Sequence, residues 1–243
     1  MGIAYLYSMI FHPILSGGGS WHHIGAVWYD WQALNVGVLA FAASLVAFNI
    51  SAYNSEQQRR RDFRAAQAFL PDALSELTRH FRTSAAYLKQ AVALAKPISE
   101  LVNAPRQPVN LPILPSAPTS FRTVFRDSIQ KAEPEVGEYL ARILRDFQIH
   151  ETRMIGLHES AESANGFFGH VSTNILGRIV DLGELQARVN NIFSYARAVD
   201  GFNGRHPTFD DFIQAYVNMN IHPEAADGLI TATKRRVAKF SEE

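Results

Sequence analysis

An all-α protein with one N-terminal membrane-crossing helix is the fold class this sequence predicts, on three observations. First, the stretch Ala33–Tyr53 lies inside a run, between Asp30 and Glu56, that carries no charged side chain. Second, all 23 lysines and arginines fall at or after Arg59, where the chain reads Arg59-Arg60-Arg61-Asp62-Phe63-Arg64. Third, from there on apolar residues recur every three or four positions, the period of a helix buried along one face, and no segment alternates as a strand would.

The span comes first. A bilayer core of about 30 Å needs roughly 20 helical residues, which Ala33–Tyr53 supplies. A soluble core helix of that length would carry a polar face. A secretory signal would carry its positive charge ahead of the apolar run, not behind it. The basic cluster behind the span places the N-terminus outside and the rest in the cytoplasm of a bacterial inner membrane. Trp21, Trp28 and Trp31 then mark the outer interface and Tyr53 the inner one, while Arg59, Arg60, Arg61 and Arg64 meet anionic lipid heads. Ala33, Gly37, Ala40, Ser44, Ala47 and Ser51 follow steps of four and three residues. They form a stripe of small side chains on which two such helices can pair. Ahead of the span, apolar Met1–Leu15 is too short to cross; it reads as an interfacial piece or a loose terminus, stopped by Pro13 and by the glycine run Gly17–Gly19.

Behind the span, Phe63, Ala66, Leu70, Leu74, Leu77, Phe81, Ala85, Leu88 and Val92 keep helical spacing, with a new start or a kink at Pro71 and an end near Pro97 or Asn103. Five of the eleven prolines then lie between Pro105 and Pro118. That segment is expected as a connecting loop whose Leu111, Ile113 and Leu114 pack on the helices. Thr119 or Ser120 caps the next helix, whose apolar face is Phe121, Phe125, Ile129, Ala132, Val136, Leu140, Ile143, Phe147 and Met154, with a restart at Pro134. A third face follows in Ile175, Ile179, Leu182, Leu185, Val189, Ile192, Phe193 and Ala196. Thr208 caps a short helix, and a last helix runs to about Lys239. The organisation read from this is an outer segment 1–30, a membrane helix 31–54, a juxtamembrane helical region 55–102, a proline-rich connector 103–118 and a cytoplasmic helical bundle-like domain 119–243.

No motif of catalysis survives inspection. The chain has no cysteine, which excludes disulfides, thiol nucleophiles and cysteine-held metals. His150-Glu151 and His158-Glu159 sit eight residues apart, about 12 Å along a helix, too far for one ion to bridge unaided. His150, between Phe147 and Met154, is expected at the core edge with its nitrogens satisfied. Asp210 and Asp211 follow Thr208 and read as dipole-complementing acids. His22-His23 has no third ligand in view, and Lys234, Arg235, Arg236 and Lys239 suit a helix C-terminus. Beyond Arg59, 21 acids face 23 bases, so nucleic acid is not an expected partner.

The order Asp30-Trp31-Gln32, uncharged span, Arg59-Arg60-Arg61-Asp62 and Ala68-Phe69-Leu70-Pro71-Asp72-Ala73-Leu74-Ser75-Glu76-Leu77 resembles a diffuse set of uncharacterised bacterial and prophage single-span membrane proteins. Those share a short N-terminal anchor, a basic exit and a helical cytoplasmic domain, and the resemblance covers about a fifth of the chain by layout. The expectation is a non-enzymatic, cofactor-free, membrane-anchored scaffold that contacts the lipid bilayer, itself and a protein partner. The competing expectation is a tethered enzyme or regulator whose site gathers His150, Glu151, Arg153 and His158.

Overall fold

The computed structural model describes residues 7–94, 110–162, 172–222 and 228–240, and all regular structure among them is helical. The chain divides into two units, Met1–Gln58 and Arg59–Glu243.

In the first unit a π-helical turn, Tyr7–Phe11, leads into α1 (His12–Ser16), α2 (Trp21–Asp30) and most of α3 (Gln32–Gln67), whose last residues, from Arg59 on, belong to the second unit. Pro13 starts α1 instead of stopping it, because it occupies the first turn, where a missing N–H leaves no helical bond unmade. Gly18 and Gly19 turn the chain towards α2 at φ +58° and +78°, a conformation that favours glycine. Met1–Leu6 lie outside the described residues.

In its apolar part α3 packs on almost nothing. Of its most apolar 18-residue window, 6% is buried. Leu34, Val36, Leu39, Phe41, Leu45, Val46, Phe48 and Ile50 are all exposed. Two polar side chains of this stretch are satisfied within the helix: Ser44 Oγ donates to the Ala40 carbonyl at 2.8 Å and Asn49 Nδ2 to that of Leu45 at 2.8 Å.

The second unit holds α4 (Leu70–Leu94), α5 (Ser120–Lys131), α6 (Pro134–Glu162), α7 (Ser172–Ala196), α8 (Phe209–Asn218) and α9 (Leu229–Phe240). Pro71 lies in the first turn of α4, after a break at Ala68-Phe69. Pro134 likewise opens α6 as a helix separate from α5. The expected faces are the observed core: Leu70, Leu74, Leu77, Phe81 and Leu88 of α4, Phe121 and Phe125 of α5, and Leu140, Ile143 and Phe147 of α6 are buried. Helix α4, read from sequence as a juxtamembrane region, packs on α5 and α7 within this unit. The hub is α7, against which α4, α6, α8 and α9 all pack. Its residues Leu182–Val189 are buried without a break, so it has no solvent face there.

Between 110 and 119 the chain forms no regular structure; Leu111 and Leu114 pack against the core while Ile113 is 94% exposed, contrary to the expectation that all three pack. Neighbouring residues of an irregular strand cannot all face one side. Thr119 is the N-cap of α5 but makes no side-chain capping bond, and the Ser120 hydroxyl donates instead to Glu76 of α4. The expected end of α4 near Pro97 or Asn103, Pro105 and Pro108, and the chain from Pro223 to Asp227 lie outside the described residues.

Thr208 does cap α8, in a capping box with Asp211. Arg205 clamps the same carboxylate with Nη1 at 2.5 Å and Nη2 at 2.9 Å. Burial alone would raise the pKa of Asp211, but hydrogen bonds from Arg205 and Thr208 outweigh it and hold the carboxyl below its ordinary 3.8. A depressed carboxylate stabilises the fold above its ordinary pKa and ceases to do so as pH falls through the folded value. Thr208→Ala is therefore expected to cost about 1 kcal/mol. Asp211→Asn should flatten the loss of thermal stability below pH 4, read by circular dichroism; unchanged acid sensitivity would contradict this.

Candidate functional site

Two polar rungs join α4 to α6. His80 Nε2 lies 2.8 Å from Glu151 Oε1, and the Tyr87 hydroxyl lies 3.0 Å from His158 Nδ1. Both rungs join residues 71 apart in sequence, so the two helices run in the same direction in register. The productive spacing on α6 is thus from Glu151 to His158, seven residues or about two turns. The spacing evident from sequence, between the two His-Glu pairs, is not the one the fold uses.

In the upper rung burial, then the charge of Glu162, pushes the Tyr87 phenol up to about 12, so its O–H is retained. His158 Nε2 faces Glu162 at 3.4 Å.

The lower rung is more unusual. His80 Nε2 also lies 3.3 Å from the Ser84 hydroxyl, and the His80 ring stands edge-on to Phe147 with centroids 5.6 Å apart. Beside it is His150, 4% exposed, whose Nε2 has no hydrogen-bond partner. This corrects the expectation of a satisfied core-edge histidine. Burial pushes its pKa down to about 4, so the ring is neutral at physiological pH and keeps a free lone pair. One ligand atom from each of His80, His150 and Glu151 lies within 4.8 Å of the others. Sequence reasoning reached His150 and Glu151 but missed His80, because its partner lies 71 positions away.

On its other side His150 lines a cavity of about 300 Å³ with Arg153, Met154, Arg178, Asp181 and Arg236 among its walls. The ionised groups there form one network across α6, α7 and α9. Arg153 pairs with Asp181. Arg236 spans Asp181 at 2.5 Å and Glu184 at 2.7 Å, and Arg188 holds the other oxygen of Glu184 at 2.6 Å. Burial lowers the pKa of Arg236, but the charges of Asp181 and Glu184 outweigh it and raise it. Arg178 donates to the Arg153 carbonyl, and burial with the Arg153 charge lowers its pKa. Arg236, expected in a C-terminal basic cluster, is thus drawn into the core network.

The four residues of the competing enzyme reading do not gather in one pocket: His150 shares the cavity with Arg153 and lies close to Glu151, whereas His158 pairs with Tyr87 of α4 and does not line that cavity. Of the basic exit, Arg60, Arg61 and Arg64 are exposed, but Arg59 donates to the Lys131 and Ala132 carbonyls at 3.1 and 2.9 Å and to Glu133 at 2.9 Å. It therefore closes the C-terminal end of α5, a task that a lipid-facing reading of the cluster does not include. Trp21, Trp28, Trp31 and Tyr53 are 42–85% exposed, and the small-residue stripe Ala33, Gly37, Ala40, Ser44, Ala47 and Ser51 is open along its length. His22 and His23 lie on α2, where the Ser16 hydroxyl is 3.5 Å from His23. No family model, no curated protein and no solved structure matches this chain.

Proposed function

We propose that the protein is a single-pass membrane protein whose residues from Arg59 on form a helical, non-catalytic interaction domain at the inner face of a bacterial plasma membrane. The observation that carries this reading is the exposure of α3. A helix with apolar residues on every side is buried in either protein or lipid, and here protein buries 6% of the window. The back-bonded Ser44 and Asn49 fit the same reading, since polar groups in hydrocarbon need partners within the segment. Exposed Arg60, Arg61 and Arg64 suit anionic lipid heads, and the Trp21, Trp28 and Trp31 group suits the opposite interface. Self-association through the small-residue stripe and a protein partner for the helical domain belong to this reading.

Cell fractionation tests it. Wild type should pellet with membranes and resist alkaline extraction. Leu39→Arg/Leu45→Arg should move it to the supernatant, because each central arginine costs about 3 kcal/mol of insertion. A wild-type chain that stays in the supernatant without detergent refutes the anchor. Cysteine accessibility at Ser20 and Ser55, with no native thiol to interfere, reads the orientation: label should reach position 20 from outside and position 55 only after lysis. Cross-linking in detergent tests the scaffold half, which fails if neither a self-oligomer nor a stable partner is recovered. The tethered-enzyme reading draws support only from the shared cavity of His150 and Arg153.

A further inference from the structure

We propose that His80, His150 and Glu151 bind a first-row divalent transition metal, zinc being the best fit, as a clamp between α4 and α6. The proposal goes beyond the anchoring reading and does not depend on it.

The donor set is the first ground. Two imidazoles and one carboxylate suit zinc and its neighbours, whereas magnesium and calcium prefer oxygen ligands throughout. The second ground is geometric. Each residue brings one ligand atom within 4.8 Å of the others. Ligand bonds of about 2.0–2.2 Å need donors roughly 3.3 Å apart, so the 2.8 Å His80–Glu151 contact opens by about half an ångström while His150 draws in. The third ground is the unpartnered nitrogen. A His80–Glu151 hydrogen bond accounts for two of the three side chains and leaves His150 Nε2 buried with nothing to bind. One metal ion satisfies all three. Buried polar atoms are normally partnered, so a buried ring nitrogen of this kind beside two further ligands calls for an occupant.

The site is reachable. His150 borders the cavity of about 300 Å³ and His80 borders a groove of about 680 Å³ under Pro112–Pro118. Three protein ligands leave a fourth position for water, and the Ser84 hydroxyl, 3.3 Å from His80 Nε2, stands where it can hold that water.

The test uses the full-length protein in detergent micelles, purified without a histidine tag and stripped with chelator. Cobalt(II) is the optical probe and zinc chloride the stabilising one. Expected are one equivalent of cobalt with the intense visible bands of four- or five-coordination, their bleaching by zinc, and a zinc-dependent rise in the melting temperature. His150→Leu removes the unpartnered nitrogen and keeps apolar bulk, so it should fold and melt no lower than wild type without metal. It should also weaken cobalt binding by at least about 100-fold. Glu151→Gln and His80→Gln should do the same, while His22→Ala/His23→Ala should leave the spectrum unchanged. Absence of both cobalt bands and zinc stabilisation in wild type overturns the proposal. So does a spectrum that persists in His150→Leu, or one that vanishes in His22→Ala/His23→Ala.

Discussion

Arg188→Met is expected to lower the unfolding free energy of the helical unit by about 3 kcal/mol, the low end of the range for breaking a buried ion pair. Arg188 is 4% exposed and Glu184 9%, one turn apart on a helix that is buried all round. Arg188 holds Glu184 Oε1 at 2.6 Å and approaches Asp146 at 3.8 Å. Methionine fills the volume but leaves that carboxylate oxygen without its donor in a poorly solvated place. The loss stays at the low end because Arg236 still holds the second oxygen. The control is Arg126→Ala, which breaks an exposed pair with Asp127 and should cost under about 0.5 kcal/mol. Urea denaturation followed by circular dichroism reads both variants. Tryptophan fluorescence does not serve, since Trp21, Trp28 and Trp31 all precede Arg59. Equal stability of Arg188→Met and wild type would mean that water reaches this network freely.

That pair also marks where sequence reading stops. Apolar spacing exposes a helix with one buried face, and it located Leu70 through Leu88 of α4 and Phe121 through Phe147 of α5 and α6. Helix α7 has the same spacing in Ile175, Ile179, Leu182 and Leu185, yet it is buried on every side between Leu182 and Val189. Glu184 and Arg188 look like solvent-facing residues until four other helices close around them. The Thr208 cap and the restarts at Pro71 and Pro134 need only a few neighbouring residues and are seen as expected, whereas the stop at Pro13 and the side-chain cap at Thr119 or Ser120 are not. The metal triad is the opposite case. His150-Glu151 can be read as a pair, but only the parallel register of α4 on α6 brings His80 to it, and no periodicity encodes that register. The open side of α3 is legible both ways, as an uncharged run in sequence and as exposed apolar surface in the fold.

Gly183→Ala is expected to destabilise by about 2 kcal/mol, against the direction that helix propensity sets. In an exposed helix the change would add up to about 1 kcal/mol. Here an added Cβ would stand 2.5 Å from Tyr216 Cε1 on α8, a separation that requires movement. The ring is poorly placed to move. Tyr216 is fully buried, and its hydroxyl lies 2.8 Å from Thr233 Oγ1. Thr233 gives its single proton to the Leu229 carbonyl, so Tyr216 is the donor and retains its O–H, burial having pushed its pKa up to about 12. Shifting the ring breaks that bond; keeping it forces α8 away from α7. Overpacking of this kind costs about 1–3 kcal/mol and outweighs the propensity gain. The cause is separable by a double-mutant cycle. In a Tyr216→Ala background the clash is gone, and Gly183→Ala should turn neutral or stabilising by up to about 1 kcal/mol. A Gly183→Ala variant that gains stability in the wild-type background would show that α7 and α8 have room to spare. The whole hub of the helical unit would then pack more loosely than the fully buried Tyr216, Phe212 and Leu182 indicate.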